Sequence, residues 1–112
     1  MNPREKEDFE FDKWADATLR KLEQAVSVFD PDEVEVELAG DVLTLAFADE
    51  QKIVVNRQRA GRQIWMAAKR KAWHFCPDAT GTHWRAGEHE LWATLETVLA
   101  GQLGRAVHLT RG

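Results

Sequence analysis

Short apolar alternations separated by turn-forming residues occupy the centre of this chain, and they constrain its fold more than any other feature. Within each segment the apolar residues recur at every second position, which predicts strands that bury one face and leave the other polar. The connecting segments are too short to cross over a sheet, so successive strands must pair in antiparallel order. The predicted strands are Val34–Ala39, Val42–Phe47, Ile53–Asn56, Gln63–Ala68 and Ala72–Phe75, with a further short one at His83–Arg85.

Helical periodicity flanks the strands on both sides. From about Glu5 to Phe29, apolar residues recur at spacings of three, four and seven, and Asp30-Pro31 is expected to stop that helix. A second helix is predicted from Glu88 to Ala100, with Gly101 as its C-terminal stop. Both apolar stripes can cover the same face of the sheet. The pattern predicts an α+β two-layer sandwich of two helices on an antiparallel sheet of five to six strands, in one domain over residues 1–112.

Cysteine content and hydropathy indicate where such a chain works. The 112 residues include one cysteine, Cys76, so no intramolecular disulfide can form. Cys76 lies close to His74, but no CxxC motif and no second cluster of ligands supports a zinc site. No apolar run approaches the roughly 20 residues that span a bilayer, and the charged N-terminus lacks the apolar core of a secretory signal. We therefore expect a cytoplasmic protein without a membrane partner.

The net charge of −4 conceals a strong asymmetry along the chain. Residues 1–37 hold 12 acids and 5 bases, whereas residues 51–77 hold 7 bases and no acid. Such a dipolar chain suggests a partner or ligand for at least one end. The alternative for the basic stretch is a sheet whose turns happen to be basic.

Carboxylates of the predicted first helix and first strand form a candidate binding surface. At about 100° per residue, Asp12, Asp16 and Glu23 fall in one narrow sector of the helix. Glu35 and Glu37 point away from the core on the strand that follows. If this strand is an edge beside the helix, the carboxylates merge into an acidic ridge that comprises Asp8, Asp12, Asp16, Glu23, Asp30, Asp32, Glu33, Glu35 and Glu37. Such a ridge binds hard cations weakly, docks a basic protein, or only keeps an edge strand from aggregating.

The polar face of the sheet has an outward-facing tryptophan. By alternation, Asn56, Gln63 and Trp65 point away from the helices, with His74 nearby, and no predicted element remains to cover them. A tryptophan beside amides is typical of a protein contact surface. A surface tryptophan that packs across strands for local stability gives the same pattern. Nucleic acid is disfavoured as a partner, because the face has one clear outward aromatic and the acidic ridge would repel phosphate.

Several of these segments together resemble the bacterial frataxins of the CyaY family. They are "VLTLAF", "KIVVNRQ", "QIWMAAK" and "WHF", with "FDKWADATLRKLE" upstream and "GEHELWATLETVL" downstream. The Asn-Arg-Gln triplet followed after a short gap by Gln-x-Trp is specific to that family. The resemblance covers nearly the whole chain in order. It implies a helix, an antiparallel sheet, a second helix and a C-terminal extension between the helices.

The resemblance also implies a function. It implies weak binding of Fe²⁺ and Fe³⁺ at the acidic ridge and a non-enzymatic role in iron–sulfur cluster assembly, as an iron donor or regulator that contacts a cysteine desulfurase and its scaffold protein. A monomer is expected, with iron-dependent oligomers left open. The implied contact residues on the sheet are Asn56, Gln58, Gln63, Trp65 and His74.

Two points qualify this expectation. A ferroxidase or iron-storage activity at the ridge ranks lower, because the chain offers no convergent set of histidines and carboxylates. In addition, Ser27 and Val28 stand where bacterial relatives often have adjacent acids. We expect this departure to weaken iron binding or to move it toward Asp30 and Glu33.

Overall fold

The computed structural model describes residues 1–111 as two helices on one face of an antiparallel sheet. The strands pair in chain order, each with the next, so the predicted meander and the two-layer α+β sandwich are confirmed. The elements are α1 (Pro3–Val26), β1 (Val34–Ala39), β2 (Val42–Phe47), β3 (Lys52–Gln58), β4 (Gln63–Ala68), β5 (Lys71–Pro77), β6 (Trp84–Ala86), β7 (His89–Glu90) and α2 (Leu91–Leu103).

In the described residues the sheet has seven strands, whereas the sequence predicted five to six. The additional strand, β7, pairs with β6 through Arg85–Glu90 and Ala86–His89. Two residues are too few to show an alternation, so this strand left no periodic signal in the sequence.

The first helix ends three residues earlier than predicted, at Val26 rather than Phe29. Ser27 is the C-cap residue, and its hydroxyl and its backbone N–H both donate to the carbonyl of Glu23, at 2.6 and 3.0 Å. The Asp30-Pro31 pair lies in the turn that follows. The helix therefore ends before the proline, which was expected to stop it.

The second helix was also misplaced, since it runs over Leu91–Leu103 rather than Glu88–Ala100. At its start the Glu90 carboxylate accepts two backbone N–H groups of the first turn, at 3.0 and 3.1 Å. Gly101 is an ordinary helical residue. Gly104 ends the helix with a left-handed φ of 71°, which glycine adopts without steric cost.

The core lies between the helices and the inner face of the sheet. Phe11 of α1 meets Trp84 of β6 edge to face, with ring centroids 6.0 Å apart. The Trp84 indole N–H donates to the hydroxyl of Thr18 at 3.0 Å, in a fully buried position. This hydrogen bond satisfies the polar atom of the largest core side chain. Trp73 has the strand parity of Phe75, which predicts a core position, but it is only half-buried at the margin of the core.

The segment after α2 packs back along the molecule. Val107 and Leu109 are buried, and the Leu109 N–H donates to the carboxylate of Glu96 in α2 at 2.8 Å. Arg105 forms two hydrogen bonds with Glu33, just before β1, at 2.6 and 2.7 Å. Those bonds are the main cause of the lowered pKa of Glu33. Glu33, a predicted ridge residue, is thus occupied by the C-terminal segment.

The loop between β5 and β6 is organised by one carboxylate. Asp78 accepts hydrogen bonds from the backbone N–H groups of Thr80 and Thr82, both at 3.1 Å. Its other oxygen lies 3.2 Å from the His83 ring. Desolvation raises the pKa of Asp78, but hydrogen bonds from the Thr80 hydroxyl at 2.9 Å, from His83 and from the Thr82 backbone outweigh it and hold the pKa well below the ordinary value. The loop is thereby held over α1, where Gly81 packs on Trp14.

Gly81→Ala should destabilise the fold by about 3 kcal/mol. Gly81 has a φ of +72°, and a Cβ there would lie 2.1 Å from Cδ2 of Trp14. Urea denaturation measures the change. Gly101→Ala is the matched control, because a Cβ at Gly101 meets nothing within 4 Å, and it should stabilise α2 by roughly 0.5–1 kcal/mol. Equal stabilities for the Gly81 variant and the parent would contradict the packing described.

Candidate functional site

The acidic ridge forms where α1 and β1 run side by side. β1 is the edge strand of the sheet and α1 packs next to it, as the merging of the two acidic segments requires. Glu35 and Glu37 are exposed on the face of β1 away from the helices. Glu37 is in register with Thr44, so these two carboxylates lie on the same open face as the polar side chains of β3 and β4.

The N-terminal part of the ridge is already neutralised by the basic stretch of the chain. Arg62, in the turn just before β4, contacts Asp8 at 2.8 Å. Arg59 contacts Asp12 at 3.2 Å, and Arg57 lies 3.7 Å from the same carboxylate. Part of the basic stretch therefore serves an intramolecular role, since three of its seven bases face acids of α1.

Arg57 is the most enclosed of these arginines, with a side chain that is 14% exposed. It also pairs with Asp41 in the β1–β2 turn and donates to the backbone carbonyl of Asp12 at 3.3 Å. Its Nε is buried without a hydrogen-bond partner. Exposed ion pairs contribute at most about 1 kcal/mol each, so the network fixes the position of the hairpin more than it stabilises the fold.

The rest of the ridge is different. Asp16 pairs with Arg20 of the same helix at 3.0 Å, and both side chains remain largely exposed. Within residues 1–111, the remaining predicted ridge residues make no salt bridge; they are Glu23, Asp30, Asp32, Glu35 and Glu37. The free negative charge is thus shifted toward the C-terminal end of α1 and the edge strand. Val28 is 78% exposed beside it.

The ridge is a surface of separate carboxylates. In the part of the chain that the structure describes, no three His, Cys, Asp or Glu side chains come together closely enough to hold a metal ion. Carboxylates suit hard cations such as iron, but affinity rises only when several converge. This arrangement can hold a cation weakly or attract a basic protein surface.

The open face of the sheet brings the predicted contact residues into one row across four strands. Val42, Asn56, Trp65 and His74 are in register from β2 to β5. The rings of Trp65 and His74 stack, with centroids 4.1 Å apart and an interplanar angle of 14°. Val42, which sequence reasoning did not include, is 38% exposed at the end of the row. Its alternation was visible in the sequence, but its place in the row depends on strand register.

A second row lies beside the first. Gln58 and Gln63 face each other across β3 and β4. The Gln63 oxygen accepts the Trp65 indole N–H at 2.8 Å, and its amide nitrogen lies 3.3 Å from the sulfur of Cys76. Trp65 is consequently half-buried. We expected an exposed side chain on a wet face, but the indole ring is partly covered by the His74 ring and its N–H is held by Gln63.

Comparison with known proteins defines the class to which this fold and these surfaces belong. The family model described as "Frataxin-like domain" matches residues 4–107. The structure is also similar to a frataxin from Psychromonas ingrahamii, studied as a model of stability modulation within the CyaY family, with a TM-score of 0.79 and 26% sequence identity. That match covers 92% of this chain and 97% of the other.

The chain therefore belongs to the frataxin-like CyaY family, which confirms the resemblance read from the sequence. Membership supports a role in iron–sulfur metabolism. No helix within residues 1–111 is both long enough and apolar enough to cross a membrane.

Trp65→Phe should cost at most about 1 kcal/mol of stability, because the stack on His74 is retained and only a partly exposed N–H bond is lost. The same substitution at Trp84 should cost about 2–3 kcal/mol, since it opens a cavity and removes the buried bond to Thr18. Chemical denaturation of both variants measures the difference. Equal losses would show that Trp65 is a core residue.

Proposed function

We propose that this protein binds iron weakly and regulates iron–sulfur cluster assembly in the cytoplasm, by docking to a cysteine desulfurase and its scaffold protein. It acts as a binding protein rather than an enzyme. Iron is its cargo or effector, held by surface carboxylates. The contact residues on the sheet are Asn56, Gln58, Gln63, Trp65 and His74.

One observation carries this proposal. Unpaired carboxylates at the end of α1 and on β1 adjoin an open sheet face on which the Trp65 indole stacks on His74 and donates to the Gln63 amide. A negative rim beside a polar aromatic patch suits a large partner with a basic surface. The rim would steer the encounter, and the patch would supply the contact area. Because β1 links the two surfaces, one partner complex can cover both.

Iron bound at the rim would change the docking. A divalent or trivalent cation among the free carboxylates neutralises part of the charge that attracts a basic surface. Weak binding makes this adjustment reversible as the iron concentration changes. The free carboxylates include Glu23 and Asp30, whereas Asp8 and Asp12 are held by arginines.

Ferroxidase or iron-storage activity at the ridge is the second candidate. Oxidation of Fe²⁺ needs ligands that also stabilise Fe³⁺, and carboxylates do favour the harder ion. Oxygen consumption in proportion to added Fe²⁺, abolished by substitution of the free ridge carboxylates, would support this activity over pure binding.

Reversal of charge at Asp16 and Glu23 should weaken binding to the desulfurase by about tenfold at low salt, since both carboxylates lie on the ridge and Glu23 makes no salt bridge. Biolayer interferometry at two ionic strengths measures this effect. The matched control is Asp8→Asn, which removes a carboxylate already paired with Arg62 and should change affinity less than threefold. Unchanged affinity for the double reversal would refute ridge docking.

Anaerobic Fe²⁺ should broaden amide resonances from Glu23 to Glu37 in the ¹⁵N-labelled protein, because the free carboxylates lie there. Resonances around Asp8 should broaden less, since Arg62 occupies its carboxylate. NMR titration of the parent and of an Asp30→Asn, Glu35→Gln variant separates the two regions. Broadening centred on His74 and Cys76, or none, would contradict iron binding at the ridge.

A further inference from the structure

The outer edge of β5 is only partly covered. On its inner side, β5 pairs with β4 from Lys71 to Phe75. On its outer side, β6 pairs with β5 only through Cys76 and Pro77. Within residues 1–111, the stretch from Lys71 to Phe75 therefore has no strand partner on that side. An unpaired strand edge presents N–H and C=O groups that another extended chain can bind.

A groove of about 1250 Å³ lies between this edge and α2. Trp73 of β5, half-buried, lines one side. On the α2 side the groove is lined by small exposed residues one helical turn apart, Ala93, Thr97 and Gly101. The Thr97 hydroxyl donates to the carbonyl of Ala93 at 3.0 Å, so that wall offers mainly apolar contacts. An open groove larger than the usual pocket for a small ligand suits a segment of chain.

The charge at the groove specifies which kind of segment fits. Lys69, Arg70 and Lys71 are exposed at one end, and none of them makes a salt bridge in the described 111 residues. Two acids also line the groove. Glu90 is occupied by the α2 N-terminus and by Arg111 at 2.9 Å, whereas Glu88 is exposed and makes no salt bridge within the described residues. The three cations outnumber this one free acid, so the net positive charge complements acidic residues on an incoming chain.

We propose that this edge and groove bind an extended, acidic segment of a partner protein. The segment adds a strand to β5 and places alternate apolar side chains in the groove. Its acidic residues lie against Lys69, Arg70 and Lys71. This surface is separate from the acidic ridge, where β1 forms the opposite end of the sheet, so the inference does not depend on the proposed function.

Fluorescein-labelled peptides of about ten residues test the inference. One has three aspartates followed by alternating valine and threonine, and the matched control has lysines in place of the aspartates. The acidic peptide should bind with a Kd below about 1 mM, and the basic peptide should bind at least about tenfold more weakly. Hydrogen exchange of the backbone amides from Lys71 to Phe75 should slow when the acidic peptide binds.

Gly101→Leu is the blocking variant. Its Cβ enters open space, so the fold stays intact, and the side chain occupies the groove. Binding of the acidic peptide should weaken at least about tenfold, whereas Gly101→Ala should retain affinity within about twofold. A variant with Arg70→Glu and Lys71→Glu should also weaken binding of the acidic peptide about tenfold. The control Lys21→Glu, at an exposed position of α1 away from the groove, should not weaken it.

Four results would overturn the proposal. The first is no binding of the acidic peptide, and the second is binding that Gly101→Leu leaves unchanged. The third is peptide-free dimerisation in sedimentation that Gly101→Leu abolishes, which would make a second copy the occupant. The fourth is salt-dependent binding of a single-stranded oligonucleotide, lost in the Arg70→Glu, Lys71→Glu variant, by a protein that does not bind the acidic peptide. That result would make the basic turn a nucleic-acid contact.

Discussion

Burial of a single face of the sheet is the constraint on which the rest of this structure depends. The inner residues of the strands pack against α1 and α2, and the Trp84–Thr18 hydrogen bond satisfies the buried indole there. The buried apolar stripes of both helices pack on this one face, so no element within residues 1–111 is left to cover the other. The open face can consequently hold side chains such as Trp65 and Gln63 that the core does not use. The contact surface proposed above lies on this outer face because the helices are committed to the inner one.

The ion pairs between α1 and the β3–β4 hairpin decide which charged side chains are paired within the molecule and which remain available at its surface. Arg57, Arg59 and Arg62 meet Asp8 and Asp12, so the two oppositely charged stretches of the chain neutralise each other at one end of the ridge. Negative charge remains free near β1, and positive charge remains free at the β4–β5 turn. These two free surfaces lie at different parts of the sheet. They are suited to partners of opposite charge.

Much of the fold was predictable because its signals are local. Strict alternation gave four of the strands nearly to the residue, and short turns required their antiparallel order. Both predicted helix ends were wrong. α1 ends at Val26, before the proline, and Gly104 rather than Gly101 has the left-handed backbone that ends α2. β7 was missed because two residues have no period. Trp73 was placed in the core by its parity, but it lies beside the groove at the partly uncovered edge of β5.

By itself, the sequence determined the fold class, the family and the identity of the side chains that face away from the core, since periodicity and residue type encode all three. It also located the acidic segments. Only the tertiary structure decided which charges are free, because salt bridges such as Arg62–Asp8 join residues 54 positions apart. Strand register likewise brought Val42, Asn56, Trp65 and His74 into one row. Contacts between distant segments depend on how the chain closes on itself, and no local pattern records them.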